Sequence, residues 1–276
     1  MWWDAAWSLV SGCTPVSEAC RRCWAAQFAH RQTGTTNRKL SQRYEFLTHT
    51  DGIDGPQFNG TVRFMDCDLL KPFTKLGGQV YAIWTDLFHK EVADSQIMAA
   101  FGTMMASPRH DYVICTKRPE RMPSWFAKHT PADCFRLAMD LHGTKFMRYA
   151  ERFTMSDIPD TWPIPNVIGM VTVEDQSAAE QRIPHLLQSP YCTKALSMEP
   201  ILSPVDISAF AKYLNWVVIG CESGTKRRIS KREWFYAVRD VCKHYDIPLF
   251  LKQMDYCCRL TEMPPLDGVI YDQFPE

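Results

Sequence analysis

Three cysteines stand close together near the start of the chain, in the segment Gly12-Cys13-Thr14-Pro15-Val16-Ser17-Glu18-Ala19-Cys20-Arg21-Arg22-Cys23-Trp24. Cys20 and Cys23 are three apart at the start of a helical pattern, so their thiols share a face. Cys13 lies on the loop before it, where Gly12 and Pro15 let the backbone curl back. Three thiolates converging near a helix N-terminus make a site for a soft metal or an iron–sulfur cluster. Three protein ligands are one short of the usual four for a cluster or for structural zinc. The vacancy separates two chemistries. A cluster iron without a protein ligand can bind a substrate or cofactor, whereas structural zinc needs a fourth side chain, for which His30 is the candidate. On the residues alone both stay open, beside a third reading of unrelated buried thiols.

The chain has 276 residues and 11 cysteines. Disulfides rarely persist in a reducing cytosol, and the number is odd, so a disulfide framework is a poor reading. The remaining cysteines are scattered singly or as the pair Cys257-Cys258, and most read as small buried hydrophobes. Adjacent thiols chelate one cube poorly, so no second cluster is expected at that pair. Basic and acidic residues balance at 31 each, so only local clustering could argue for a nucleic-acid partner. The start Met1-Trp2-Trp3-Asp4 lacks the basic region and apolar run of a signal peptide. No apolar run approaches the roughly 20 residues that span a bilayer. A cytoplasmic protein without a membrane partner is expected. A hydrolase using strand-end Glu and Asp residues is disfavoured, because no Gly-x-Ser-x-Gly, P-loop or His-Glu-x-x-His motif occurs.

The elements that must position the cysteines recur along the chain. Apolar runs of strand length occur at 61–65, 79–85, 111–116, 167–173, 194–198, 214–220 and 247–251, with a shorter one at 6–10. Helical patterns lie at 18–31, 92–107, 132–149, 174–187 and 230–245, with Ser17 and Ser230 as N-caps of the first and last. Such alternation predicts an α/β fold with a parallel sheet, a partial or near-complete (β/α) barrel formed by one domain over residues 1–276. A doubly wound open sheet is the runner-up. Thr85-Asp86, Lys117-Arg118, Glu174, Glu199, Glu222 and Lys252 follow or end the apolar runs. The C-terminal strand ends of a barrel build its active site, so these residues predict a polar cavity. Basic groups at Arg21-Arg22, at Lys117-Arg118 with Arg121, and at Lys226-Arg227-Arg228 with Lys231-Arg232 would then rim one mouth. A positive rim suits a phosphate-bearing substrate, a nucleotide or DNA.

Cysteines after a first strand, the last followed by an aromatic residue, resemble the radical S-adenosylmethionine superfamily. Its common spacing is CxxxCxxC; here it is Cx6CxxC followed by Trp24, a wider first gap. Further blocks cover nearly the whole chain: Thr85-Asp86-Leu87-Phe88-His89, Thr116-Lys117-Arg118-Pro119-Glu120-Arg121, Val171-Thr172-Val173-Glu174-Asp175-Gln176, Glu199-Pro200, Gly220-Cys221-Glu222-Ser223-Gly224 and Phe250-Leu251-Lys252-Gln253. Together they resemble a phage-encoded family of unknown function. The resemblance implies a [4Fe–4S] cluster on Cys13, Cys20 and Cys23, with S-adenosylmethionine on the free iron. Trp24 would pack near the adenine. Glu174 or Glu199 would hold the ribose hydroxyls and Asp86 or Thr85 the methionine ammonium, with Glu222 among the cofactor contacts. An external flavodoxin- or ferredoxin-type protein would supply electrons, in the host cytoplasm for a phage protein. The expected substrate is a nucleotide or a base within DNA. The sharpest expectation is isomerisation of an N-linked glycyl-thymine to a C-linked one during phage DNA hypermodification, with Lys117, Arg118 or Lys252 holding the glycyl carboxylate. The alternative is a zinc module that binds nucleic acid without catalysis.

Overall fold

Most of the apolar runs pair side by side in the order in which they occur. In the computed structural model, which describes all residues except 51, 150–154, 225, 257–258 and 276, eight strands form one sheet. They are β1 (Ala5–Ala6), β2 (Val80–Ile83), β3 (Asp111–Thr116), β4 (Val167–Thr172), β5 (Thr193–Met198), β6 (Trp216–Gly220), β7 (Leu249–Tyr256) and β8 (Arg259–Glu262). Each pairs with the next; β1 to β7 are parallel and only β8 runs antiparallel. A doubly wound sheet reverses its strand order at a switch point. This one does not, and it curls into a half-barrel, the expected partial (β/α) barrel. The pair Cys257-Cys258 lies outside the described residues.

The helices are α1 (Trp24–Thr33), α2 (Arg38–Tyr44), α3 (Asp94–Met105), α4 (Met122–Lys128), α5 (Pro131–Tyr149, kinked at Gly143), α6 (Gln176–Gln188) and α7 (Arg232–His244). Successive strand residues point to opposite faces. Val217 and Ile219 therefore join the core shared with Phe101 of α3, Ile183 of α6 and Phe235 of α7. Trp216 and Val218 join a second cluster with Val113, Met170 and Phe250, to which no helix contributes. That cluster fills the concave face. Both ends of the chain seal it: Trp216 meets Trp2 edge-on at 5.5 Å and Phe274 at 4.7 Å. Burial on both faces is why these strands read as continuous apolar runs. Among the described residues no helix is long and apolar enough to cross a membrane.

Several expected elements are corrected. The run at 61–65 is not a sheet strand; Arg63–Phe64 pairs antiparallel with Val10–Ser11 in a separate ribbon. The edge of β2 is already taken by Ala5–Ala6, so the second half of the first run leaves the sheet and finds a local partner. The helix expected over 18–31 breaks at Cys23, whose ψ of 119° is extended, into a 3-10 turn (Glu18–Arg22) followed by α1. Neither expected serine cap forms. The Ser17 hydroxyl turns to Cys20 Sγ at 3.6 Å, and the Ser230 hydroxyl donates to Asp255 Oδ2 at 3.2 Å. Helix α6 starts after Glu174 and is capped by Asp175, which accepts from the Ala178 N–H. The sequence patterns also passed over β8, α2, α4 and a hairpin of Thr48–Thr50 with Pro56–Phe58.

Helices α3 and α5 pack tightly at Gly102, where an added Cβ would lie 2.5 Å from the Cys134 carbonyl oxygen. Gly102→Ala should therefore overpack this contact and cost about 2 kcal/mol, read as a lower thermal midpoint. An unchanged midpoint would mean that the helices do not meet there.

Candidate functional site

The loop carrying Cys13 is pinned from two sides. Gly12 has φ +89°, and a Cβ there would stand 2.0 Å from the Thr61 carbonyl oxygen, so only glycine lets the loop pass the ribbon. On the other side the ends of β2 and β3 grip it. Asp86 accepts from Arg118 Nη1 at 2.8 Å, Thr116 Oγ1 at 2.6 Å and the backbone N–H groups of Phe88 and Lys117. Arg118 reaches on to the Thr14 carbonyl oxygen and to Cys13 Sγ at 3.6 Å. The Thr85 hydroxyl donates to the Val10 carbonyl, and His89 Nε2 meets Thr14 Oγ1 at 2.9 Å.

Cys13, Cys20 and Cys23 line one cavity of about 110 Å³ together with Trp84, Cys115 and Lys117. Burial and the Asp86 carboxylate push the Cys13 thiol up to about 12, against the pull of Arg118. Burial also raises Cys23, helped by the charge of Cys20. Cys20 goes the other way: burial opposes its ionisation, but the Lys117 ammonium and hydrogen bonds from Val16 and Ser17 outweigh it. Lys117 can do this because its charge is not cancelled. Its neighbour Glu174, fully buried and 3.3 Å from the ammonium, is already claimed by Arg182 at 2.6 and 3.3 Å. Two cations thus share one carboxylate, which they hold below its usual range despite burial.

A wider cavity of about 170 Å³ continues from Cys20 and Cys23 to Glu199, Glu222 and Lys252, between Trp2, Trp3, Trp24 and Trp84. Trp24 leans on Trp84 with centroids 4.9 Å apart and keeps 45% of its surface exposed, so it is not core filling. Lys252 sits where the sheet slips register: Ile219 pairs with Leu251 but Gly220 with Gln253. Such an irregularity re-aims a side chain, and here the ammonium lies 2.8 Å from Glu199 Oε1. Burial pulls the Lys252 pKa down, but Glu199 more than compensates and keeps it above its ordinary value. Glu199 also accepts from the Trp2 indole N–H at 3.2 Å. Glu222 is closed by the Arg228 guanidinium and its backbone N–H.

Thr85, Asp86, Lys117, Arg118, Glu174, Glu199, Glu222 and Lys252 stand on the sheet strands or just after them, while a loop, the 3-10 turn and the start of α1 bring Cys13, Cys20, Cys23 and Trp24 to the same place. Glu174 alone among them does not line either cavity. Arg118 is corrected from rim to interior, being 8% exposed and turned to Asp86 and the cysteine loop. Arg121 leaves the mouth for Asp94 and the His89 carbonyl, and Arg227 pairs with Asp255. Arg22 and Lys226 do converge beside the cavity. Trp2, Trp3, Trp84, Cys115 and Arg182 went unrecognised. Arg182 was findable: it follows Glu174 by two helical turns and so lies on the same side.

Fold and site define a partial (β/α) barrel with a thiol-lined cavity at its strand ends. A family model matches residues 1–275, and the chain belongs to that family, described as Protein of unknown function (DUF5131). No curated protein and no solved structure matches the chain.

Two outcomes follow from the electrostatics. In metal-free protein, iodoacetamide should alkylate Cys20 faster than Cys13, since the thiolate is the reactive form; peptide mass mapping over time reads the order, and the reverse order would refute the assigned charges. Glu174→Gln should strand two cations and cost about 3 kcal/mol at neutral pH, read by urea unfolding. Because the folded pKa of Glu174 is depressed, its stabilisation is complete above the reference value of 4.5 and is lost as pH falls below it. The wild-type advantage over Glu174→Gln should shrink on acidification.

Proposed function

We propose that this chain is a radical S-adenosylmethionine enzyme acting on a nucleotide or DNA base, with a [4Fe–4S] cluster on Cys13, Cys20 and Cys23. The observation that carries the reading is that three thiols line one cavity, which adjoins a wider one lined by tryptophans and by charged residues of the strand ends. The donor set suits an anionic cluster: Lys117 and Arg118 stand beside the thiols, and Lys117 is not neutralised. Proton loss from the raised Cys13 and Cys23 would accompany metal binding. The zinc alternative is less well supported. Its fourth ligand, His30, is paired with Thr48 at 3.1 Å and does not line the cysteine cavity. Among the described residues no group of three or more His, Cys, Asp or Glu forms a site for a single metal ion; a cube holds its thiolates farther apart than one ion does.

When bound, cluster and S-adenosylmethionine would supply a 5′-deoxyadenosyl radical able to abstract hydrogen from an unreactive C–H bond. The residues of the chain bind and orient. Trp24 offers an open aromatic surface for the adenine. Glu199 lines the cavity whereas Glu174 is sealed between Lys117 and Arg182, which favours Glu199 for the ribose hydroxyls. Thr85 and Asp86 serve the cysteine loop rather than a cofactor ammonium. An external flavodoxin- or ferredoxin-type donor would deliver the electron.

For the substrate, the reading is isomerisation of an N-linked glycyl-thymine to its C-linked form. That change opens an α-C–H bond that acid–base chemistry activates poorly, and it fits a cavity with one incompletely matched cation for the glycyl carboxylate. Lys117 is that cation: it shares Glu174 with Arg182, whereas Arg118 and Lys252 each face a carboxylate of their own.

In reconstituted protein, Ala in place of Cys13, Cys20 or Cys23 should abolish 5′-deoxyadenosine formation, while Cys134→Ala and Cys242→Ala should retain it. Full activity in any of the first three variants would refute the ligand assignment. DNA bearing N-linked glycyl-thymine should yield a nucleoside of unchanged mass and new retention time. Unaltered substrate beside ready 5′-deoxyadenosine formation would refute the thymine reaction.

A further inference from the structure

Beside the tryptophan-walled cavity lies a second one of about 260 Å³, lined by Arg22, Gln27, His30, Arg31, Ser223 and Lys226 with the turn at Asp54. The two cavities share Arg22 and Ser223, so they are two rooms of one site. The charges of the annex do not cancel. Arg22 is matched by Asp54 at 3.0 Å, and its guanidinium also reaches the Lys226 carbonyl at 2.6 Å. Among the described residues the Lys226 ammonium meets only the Ile53 carbonyl, at 2.9 Å. The Arg31 guanidinium makes no ion pair or hydrogen bond among the described residues. Two cations are left to face the cavity. The Ser223 hydroxyl accepts from the Gln253 side-chain amide at 3.0 Å, which leaves its own hydrogen for an acceptor. Such a chamber takes a small anion with several oxygens. His30, Arg31 and Lys226 are all exposed, so the annex opens to solvent and an anion within it can continue into a longer chain.

We propose that the annex holds a backbone phosphate of a DNA strand, between Arg31, Lys226 and the Ser223 hydroxyl, so that the base of the same nucleotide is directed toward the cofactor in the adjoining tryptophan-walled cavity. The inference rests on the reading of the site as a nucleic-acid-modifying centre and names the form of its substrate: a nucleotide still joined to its neighbours and extruded from any duplex. Stacking surfaces beside a positive groove are how single strands are held without reading their sequence. Extrusion gives a base within a duplex the same access.

The test is anisotropy of a short fluorescein-labelled oligothymidylate with the full-length protein across a salt series. Binding should weaken as salt rises. In Arg31→Ala/Lys226→Ala, affinity should fall about tenfold, and the slope of log K against log salt should flatten by about 0.7, the contribution of one phosphate on a single strand. Both side chains are exposed, so the variant should fold, and Arg31→Gln/Lys226→Gln should behave alike. Thymidine monophosphate and inorganic phosphate should compete only at much higher concentration than unlabelled oligonucleotide. Unchanged affinity and slope in both variants would overturn the proposal. Competition by the monophosphate equal to that of the oligonucleotide would overturn the strand. This assay needs no iron, so its failure is distinct from failure of the radical reading: annex-dependent binding by a protein that assembles no cluster would refute only the latter.

Discussion

The site depends on one buried ion pair. Asp86 and Arg118, at the ends of neighbouring strands, are almost withdrawn from water, and each ion loses several kcal/mol of hydration on burial. What offsets that loss is a full set of hydrogen bonds: four donors to the carboxylate, and two further acceptors, the Thr14 carbonyl and Cys13 Sγ, for the guanidinium. The pair therefore ties the loop of the first cysteine to the ends of two paired strands of the sheet. Together with the steric demand at Gly12, it sets where Cys13 stands relative to Cys20 and Cys23.

Charge around the cavity follows a simple division. Asp86 with Arg118, Glu199 with Lys252, and Glu222 with Arg228 are matched pairs. Glu174 with Lys117 and Arg182 is not, and the surplus positive charge falls where thiolates would form. The annex adds a second surplus at Arg31 and Lys226. A molecule with no net charge thus has incompletely matched cations beside its cavities, which composition alone conceals.

Much of this was legible in the sequence. Strands buried on both faces have no polar alternation, so the runs at 111–116 and 167–173 stood out and their polar ends marked the cavity. Contacts decided by tertiary structure were not legible. The run at 61–65 has strand composition, but its pairing partner depends on which edge Ala5–Ala6 takes. Arg118 beside Lys117 looks like a second surface charge; only the placement of Asp86 turns it inward. Lys252 is aimed at Glu199 by a register slip that involves two strands and leaves no mark on either alone. In the sequence Trp2 and Trp3 mark no more than a non-secretory start, yet Trp2 bridges the concave core and Glu199.

The central claim is that Cys13, Cys20 and Cys23 form a cluster site. It is tested most directly by iron, zinc and acid-labile sulfide content after anaerobic purification and reconstitution. The account predicts about four iron and four sulfide per chain, the content of one cube, and little zinc. Stoichiometric zinc without sulfide would contradict it.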